Sequence, residues 1–245
     1  MTDIFIFKRI EKKYRINKQE KDALLSLCGN LLIPDSHGKS TISSLYLDTP
    51  DHLLIRNSID AKVYKEKLRI RSYGTPRLDD KIFFEIKKKF EGIVYKRRVS
   101  MTLSQAYDYI ESQARPEESQ IMSEIDYTMR FYNLPKPSML ISYEREAYFV
   151  KDEPNLRLTF DSNVRYREDD LFLEKGSDGK KILDKDEFIL EIKTDGAMPL
   201  WLAHALDKLL ILPSSFSKYG TSYLDTLKKD KSPDPKGEKE YALAV

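Results

Sequence analysis

The sequence predicts an α+β fold, in which about eight antiparallel strands close into a barrel around a basic lumen and helices lie at the periphery. Strand-like segments carry polar triplets of two kinds, Glu-x-Lys and a pair of cations two residues apart, within apolar surroundings. Because successive side chains on a strand point to opposite faces, each triplet places two charges on one face of the sheet. Charges on an inner face are expected for a wet interior, and eight strands over about 220 residues suit one barrel better than two domains.

The strands and helices follow from periodicity, capping signals and turn residues. Alternation predicts strands at 4–16, 41–48, 61–73, 81–90, 93–101, 138–151, 155–167 and 187–194. Helical spacing predicts helices at 17–27, 103–112, 117–132, 199–211 and 216–228, with a short helical turn after Pro50. Glu20 stands at the capping-box position after Asn17. The residues after Lys228 are rich in Lys, Pro and Asp, so we expect a domain at 1–228 and a disordered tail at 229–245.

Composition narrows the functional classes. The chain has 245 residues, of which 33% are charged and 40% hydrophobic, and its net charge is only +2. A near-neutral chain with its cations on an inner face is a poor candidate for nucleic acid binding. The single cysteine, Cys28, cannot form an intramolecular disulfide, which indicates a reducing compartment. No signal pattern and no apolar run of about 20 residues is found, so we expect a soluble, cytoplasmic protein.

Strand alternation places nine cations on the inner face of the predicted barrel. They are Lys13, Arg69, Arg71, Lys87, Lys96, Arg98, Arg145, Arg157 and Lys193. The carboxylates predicted on the same face are Glu11, Glu85, Glu191 and Asp161. Like charges at this density would cost on the order of several kcal/mol per ion in a dry interior, so we expect a polyanion to fill the space. Triphosphate or polyphosphate fits best, because Arg and Lys are suited to phosphate oxygens.

Two of the carboxylates are candidate metal ligands. Phosphoryl chemistry usually requires Mg²⁺ or Mn²⁺, held by a few carboxylates and by the phosphates themselves. Glu191 and Glu11 are the residues we expect to bind this ion.

The charged segments also occur in an order that resembles a known family. They are Arg9-x-Glu11-x-Lys13-Tyr14, LRIR at 68–71 with Tyr73-Gly74, Glu85-x-Lys87, Lys96-x-Arg98, Tyr143-x-Arg145-x-Ala147, RLTFD at 157–161, LEIK at 190–193 and SFSKYG at 215–220. Over about residues 5–225 this series resembles the VTC-type polyphosphate polymerase domain, a branch of the triphosphate tunnel metalloenzymes. The resemblance implies an eight-stranded antiparallel tunnel and a phosphotransferase that passes the γ-phosphate of ATP to a growing polyphosphate chain.

The resemblance also implies residue roles. The implied phosphate-contacting cations are Lys13, Arg69, Arg71, Lys87, Lys96, Arg145, Arg157 and Lys218. The tyrosine of the Tyr-x-Arg segment falls on Tyr143, and the metal-binding glutamate falls on Glu191. We therefore predict that catalysis depends on Lys13, Arg69, Arg71, Lys87, Arg145 and Arg157. The predicted phosphate and nucleotide ligands are this set together with Lys96, Arg98, Tyr143, Lys193 and Lys218.

Two positions depart from the family pattern. The wider superfamily opens with Glu-x-Glu-x-Lys, whereas Arg9 occupies the first position here, which favours the polymerase branch over a two-metal hydrolase. The eukaryotic polymerase has a lysine three residues before the equivalent of Lys218, and here that residue is Ser215. At Ser215 the resemblance therefore provides no lysine for the phosphate contact near the tunnel end.

Two alternatives remain open from the sequence. One is a triphosphate hydrolase of the same fold, in which water replaces phosphate as the acceptor. The other is a non-catalytic sensor that binds polyphosphate or nucleotide without turnover. The expected partners are ATP and polyphosphate or another polyanion, with no nucleic acid, and a partner protein would supply any membrane attachment.

Overall fold

The computed structural model describes residues 10–230 except Lys62 and Gly92, and it describes no side chain for His37, Lys229 and Asp230. Within this part of the chain, nine strands form one sheet and six α-helices pack against it. The strands are β1 (Ile10–Asn17), β2 (Leu32–Asp48), β3 (Tyr64–Tyr73), β4 (Lys81–Phe90), β5 (Ile93–Thr102), β6 (Lys136–Val150), β7 (Glu153–Arg167), β8 (Lys180–Lys181) and β9 (Glu187–Thr194). The helices are α1 (Lys18–Cys28), α2 (Leu53–Asp60), α3 (Leu103–Ser112), α4 (Gln120–Phe131), α5 (Leu200–Lys208) and α6 (Lys218–Asp230).

The sheet is antiparallel throughout, which confirms the predicted α+β fold. Its strand order is β1-β9-β7-β6-β2-β3-β4-β5, and the short β8 pairs with β7. The predicted closure of the barrel needs correction, because no backbone pairing joins β1 to β5 among the described residues. The sheet instead curls so that β1 faces β4, and the Lys87 Nζ atom lies 3.5 Å from Glu11 Oε2.

The segment 209–217, between α5 and α6, lies beside β1 in the gap where β1 and β5 do not pair. Pro213 forms an isolated bridge to Tyr14, and the Ser214 amide donates to the Lys13 carbonyl at 2.8 Å. On the other side of the gap, Lys67 of β3 donates to Ser217 Oγ at 2.9 Å. The segment thereby covers the free edge of β1, which would otherwise expose unpaired backbone groups.

Two hydrophobic clusters lie on the outer face of the sheet, under the helices. Phe84 of β4 packs in one cluster with Tyr109 of α3 and Ile125 of α4. Leu190 of β9 packs in the other with Leu24 of α1 and other apolar residues of α1 and α5. Fully burying each such side chain contributes about 1.5–3 kcal/mol. Because the apolar residues of these strands point outward, their alternate polar residues point inward.

A third hydrophobic cluster fills one end of the interior, where α6 enters. Ile189 lies two residues before Glu191 on β9 and therefore shares its inner face. Ile189 belongs to the same cluster as Tyr219 of α6, whose ring stacks on Tyr46 at 4.3 Å between centroids. We call this end of α6 the α6 plug. The polar part of the interior lies next to this plug, and we call it the lumen.

Local signals explain where the predicted bounds held and where they shifted. The predicted capping box is present, since Asn17 Oδ1 accepts from the Glu20 amide at 2.9 Å and Glu20 Oε2 accepts from the Asn17 amide at 2.7 Å. β2 begins at Leu32, well before the predicted start. The prediction missed this first part of the strand because an irregularity between Pro34 and Lys39 interrupts the alternation on which it relied. No described helix is both long enough and apolar enough to cross a membrane. Strand residues predicted at 4–9, and the predicted tail beyond Asp230, lie outside the described residues.

Candidate functional site

The lumen contains a first charged cluster where β1 meets β9. The register pairs Glu11 with Lys193 and Lys13 with Glu191, so acids and bases alternate on one face. Lys13 Nζ lies 3.2 Å from Glu11 Oε1 and 3.5 Å from Glu191 Oε1, and Lys193 Nζ lies 3.1 Å from Glu191 Oε2. Burial alone would raise the pKa of Glu191, yet Lys193 and Lys218, with two further cations, hold it well below the usual range. Glu191 is therefore ionised, as a metal ligand must be.

Asp161 joins this cluster to two more cations. Arg145 binds Asp161 through two hydrogen bonds, of 2.6 Å from Nε and 2.7 Å from Nη2. Lys218, the first residue of α6, donates to Asp161 and lies 3.6 Å from Glu191 Oε1. Asp161 is fully buried, so it fixes the direction of both cations without itself facing solvent. Arg145 and Lys218 also lie over the Tyr143 ring, at 5.2 and 4.4 Å from its centroid.

A second cluster surrounds Glu85 on β4. Arg69 Nη2 lies 2.7 Å from its carboxylate, Lys96 Nζ 3.6 Å and Arg71 Nε 3.9 Å. Glu85 is fully buried, and although burial alone would raise its pKa, Arg69, Arg71 and Lys96 lower that pKa to about 2. Arg71 Nε is itself buried and has no hydrogen-bond partner among the described residues. A buried donor without an acceptor is costly, so this atom indicates where a ligand oxygen would bind.

Tyr143 lies between the two clusters. Its hydroxyl accepts from Arg71 Nη2 at 3.4 Å, while its ring lies under Arg145 and Lys218. Burial would raise the pKa of this phenol, but Arg145, Arg71 and Lys218 together lower it. The lumen thus has more basic than acidic side chains from α6 to β5, with the carboxylates of the two clusters interspersed among them.

A row of lysines crosses three neighbouring strands at the far side of the lumen. Lys67 of β3 pairs in register with Lys87 of β4, and Lys87 pairs with Lys96 of β5. We call these three residues the lysine row. Burial, reinforced by neighbouring cations, lowers the pKa of Lys67 to about 7. Burial also lowers the pKa of Lys87 and Lys96 to about 8, although Glu11 and Glu85 partly oppose it. Like charges directly opposite on adjacent strands are destabilising, and a bound anion would reduce this repulsion. The lysine row is therefore typical of an anion-binding site.

Lys67 was not among the residues predicted from the sequence. The signal was present, because Lys67 precedes Arg69 by two residues on the same strand and so shares its face. The predicted series began at the LRIR segment and therefore stopped one position short of this lysine.

Two predicted residues lie apart from the clusters. Arg157 pairs in register with Lys193, but its Nη2 binds Asp35 at 2.7 Å and its guanidinium stacks over Phe149 at 4.8 Å. Arg157 Nε is buried without a hydrogen-bond partner among the described residues. Arg98 is exposed, and its guanidinium stacks over Phe83 at 4.5 Å. These two cations extend the positive surface beyond the carboxylate clusters.

Comparison with known proteins identifies the family. The VTC domain family matches residues 6–226 of the sequence, which is nearly all of the described chain.

This chain belongs to the VTC domain family.

Solved structures give the same fold, and no curated protein matches the sequence. A provisionally named adenylate cyclase from Bacillus halodurans is 14% identical over 86% of this chain and 95% of its own, with a TM-score of 0.53. A Hippeastrum protein provisionally named an adenylyl cyclase, whose structure is described as revealing a dominant triphosphatase activity, is 15% identical over 89% and 96%, also with a TM-score of 0.53. At these identities the likeness shows the fold alone.

The VTC domain offers two adjacent carboxylates for a divalent cation. Glu11 and Glu191 lie on paired strands and both contact Lys13. Burial and Glu191 would raise the pKa of Glu11, but Lys87, Lys13 and Lys193 lower it to about 2. Among residues 10–230 as described, no three His, Cys, Asp or Glu side chains converge on a metal site. The pair fits Mg²⁺ or Mn²⁺ because such ions take one or two carboxylates and complete their shell with phosphate oxygens and water.

Proposed function

We propose that this VTC domain is a metal-dependent polyphosphate polymerase, which transfers the γ-phosphate of ATP to a growing polyphosphate chain in the lumen. The observation that carries the proposal is the excess of basic side chains that line the lumen from Lys218 past Arg71 to the lysine row. Such a lining can bind a donor and an acceptor that are both polyanions, and membership of the VTC family supports the same reading.

The two ends of the lining suit different tasks. Arg145 and Lys218 are held in place by Asp161, beside the carboxylates of Glu11 and Glu191. We assign the transferring phosphoryl group to this end, where cations can neutralise its oxygens during in-line displacement. A bound divalent cation would be held by Glu11 and Glu191 and would supply positive charge that stabilises the phosphate oxygens.

The remaining cations bind the polyanion rather than react with it. Arg69 and Arg71 are directed by Glu85, and the orphaned Nε of Arg71 would gain a phosphate oxygen as its acceptor. A phosphate oxyanion is already deprotonated at neutral pH, so the acceptor needs no general base. This agrees with a lumen built from Arg, Lys and carboxylates.

Water is the alternative acceptor, which would make the domain a triphosphatase. The triphosphatase activity described for the Hippeastrum protein belongs to a chain of the same fold and keeps this alternative in view. The two reactions share the donor site and differ in what they release.

Product analysis separates these functions. The protein is incubated with ATP and Mn²⁺ or Mg²⁺, and the products are resolved on a polyacrylamide gel. Long polyphosphate and ADP are expected, and Glu191→Gln is expected to abolish turnover while polyphosphate binding persists. Glu117→Gln is the control, because Glu117 is exposed and has no described ion pair. Orthophosphate as the sole inorganic product would overturn the polymerase in favour of the hydrolase, and binding without turnover would leave a sensor.

A further inference from the structure

Lys67 is a lysine of the lumen whose amine contacts no carboxylate in the described structure. Its Nζ donates to Ser217 Oγ at 2.9 Å, and no described Asp or Glu lies within ion-pair distance. The other lysines of the row differ, since Lys87 contacts Glu11 and Lys96 contacts Glu85. An anionic ligand would therefore stabilise the charged form of Lys67 more than that of the other two lysines, which already contact a carboxylate.

The charged groups around Lys67 come from three strands. Lys87 of β4 and Lys13 of β1 are the nearest contributors, followed by Arg69 and Lys65 of its own strand. All of them are cations, and each lowers the pKa of the Lys67 amine after the larger effect of burial. Glu11 neutralises Lys13 and Lys87 rather than Lys67.

The N-terminus of α6 faces the same point. Ser217 caps this helix, since its Oγ accepts from the Gly220 amide at 3.1 Å and its carbonyl accepts from the Thr221 amide at 2.7 Å. α6 has 13 residues, and the aligned peptide dipoles of such a helix place partial positive charge at its first turn. A lysine amine and a helix N-terminus thus converge on one position in the lumen.

We propose that Lys67 and Ser217 form a further phosphate subsite, which binds one phosphate group of a linear polyanion at the end of the lysine row. The inference rests on the proposed function only for the class of ligand. A phosphate suits the position because its several oxygens can accept from an amine, a hydroxyl and neighbouring lysines together. The same contact would remove the repulsion within the row, because the anion lies between charges that otherwise oppose each other.

Binding of a phosphate at this subsite is expected to be accompanied by proton uptake. Near pH 8 most of the Lys67 amine in the free protein is neutral, because its pKa is lowered to about 7. A bound phosphate favours the charged amine and raises that pKa, so binding takes up a proton from solution. Affinity is expected to fall as the pH rises through 7 to 9.

Calorimetric titration tests the subsite. Inorganic triphosphate and a longer polyphosphate are titrated at pH 6.5 and 8, in pairs of buffers with different ionisation enthalpies, so that proton uptake is measured directly. For Lys67→Met we expect affinity for the longer probe to fall roughly tenfold at pH 6.5, and proton uptake at pH 8 to fall by up to about one proton. Lys12→Met is the control, since it makes the same Lys-to-Met replacement at a side chain that is exposed and out of alternation with Lys13.

The outcomes separate this subsite from the proposed function. Equal affinity and equal proton uptake in Lys67→Met and the wild type would overturn the subsite, provided circular dichroism shows both folded. A Lys67-dependent uptake in a protein that makes no polyphosphate would uphold the subsite and overturn the polymerase. Failure of the wild type to bind either probe would overturn both.

Discussion

Glu85 is a buried anion that holds three cations of the lumen at fixed positions. Arg69, Arg71 and Lys96 all reach it, and none of them has a second carboxylate within ion-pair distance among the described residues. Breaking a buried ion pair from one side leaves the partner charges uncompensated and typically costs about 3–5 kcal/mol. This residue therefore bears on folding as well as on ligand placement.

We expect Glu85→Gln to lower the free energy of unfolding by about 3 kcal/mol at pH 7. Urea denaturation followed by circular dichroism measures the change, with the exposed Glu117→Gln as the control. The pH dependence adds a second readout. Because the pKa of Glu85 is lowered from 4.5 to about 2, its stabilisation is present above pH 4.5 and is lost as the pH falls to 2.

Wild-type stability should therefore decline across that acid window, and Glu85→Gln should show a flatter decline because it no longer titrates. Equal slopes in the two proteins would show that Glu85 does not stabilise the lumen in this way. Glu11, whose pKa is lowered to about 2 as well, contributes to the same window and would remain in both proteins.

At the scale of elements, α6 depends on one hydroxyl for its start. Ser217 caps the helix and also accepts from Lys67, so it links a helix to a strand on the other side of the gap in the ladder. Ser222, one turn later, is fully buried and its hydroxyl has no hydrogen-bond partner among the described residues. The hydroxyl of the capping Ser217 is therefore expected to stabilise the fold, whereas the unsatisfied hydroxyl of Ser222 is expected to destabilise it.

We expect Ser217→Ala to destabilise the domain by about 1 kcal/mol, the usual cost of removing a helix cap. Ser222→Ala, the matched control in the same helix, should be neutral or stabilising, because it removes a buried hydroxyl that is unsatisfied. Thermal unfolding measures both. A loss for Ser222→Ala as large as that for Ser217→Ala would contradict the assigned roles.

The elements also show what sequence reasoning can reach. Alternation located the inner faces of β1, β4 and β9, because a strict period of two determines which side each residue takes. It could not give the early start of β2, where a bulge breaks the period, nor the open ladder, because closure depends on contacts far apart in the chain. Asp161 was predicted only as a carboxylate on the inner face. Its hydrogen bonds with Arg145 and Lys218 could not be predicted, because they depend on the register of β6 with β7 and on the position of α6.

At the scale of the whole molecule, the lumen stores repulsion that a polyanion would relieve. Cations of the lysine row and of both clusters face one space, and the Nε atom of Arg71 within it lacks an acceptor among the described residues. A ligand that binds only the folded protein raises stability by RT ln(1 + [L]/Kd), which is about 2.7 kcal/mol at a hundredfold excess over Kd.

Inorganic triphosphate should therefore raise the melting temperature, and by more than sodium chloride at matched ionic strength. Differential scanning fluorimetry with the two salts measures the difference. A rise that salt reproduces in full would mean that general screening, and not a bound polyanion, relieves the repulsion.

The α6 plug couples the interior to the end of the described chain. Tyr219 is stacked inside the sheet, while the neighbouring Lys218 contacts Asp161 and Glu191 in the lumen. If a ligand in the lumen stabilises α6, then stabilising α6 raises the affinity for that ligand by the same factor, because the coupling between two equilibria is reciprocal. Backbone amides of α6 should then exchange hydrogen more slowly when a ligand is bound in the lumen. A partner that displaces this helix would in turn lower the affinity of the lumen for that ligand.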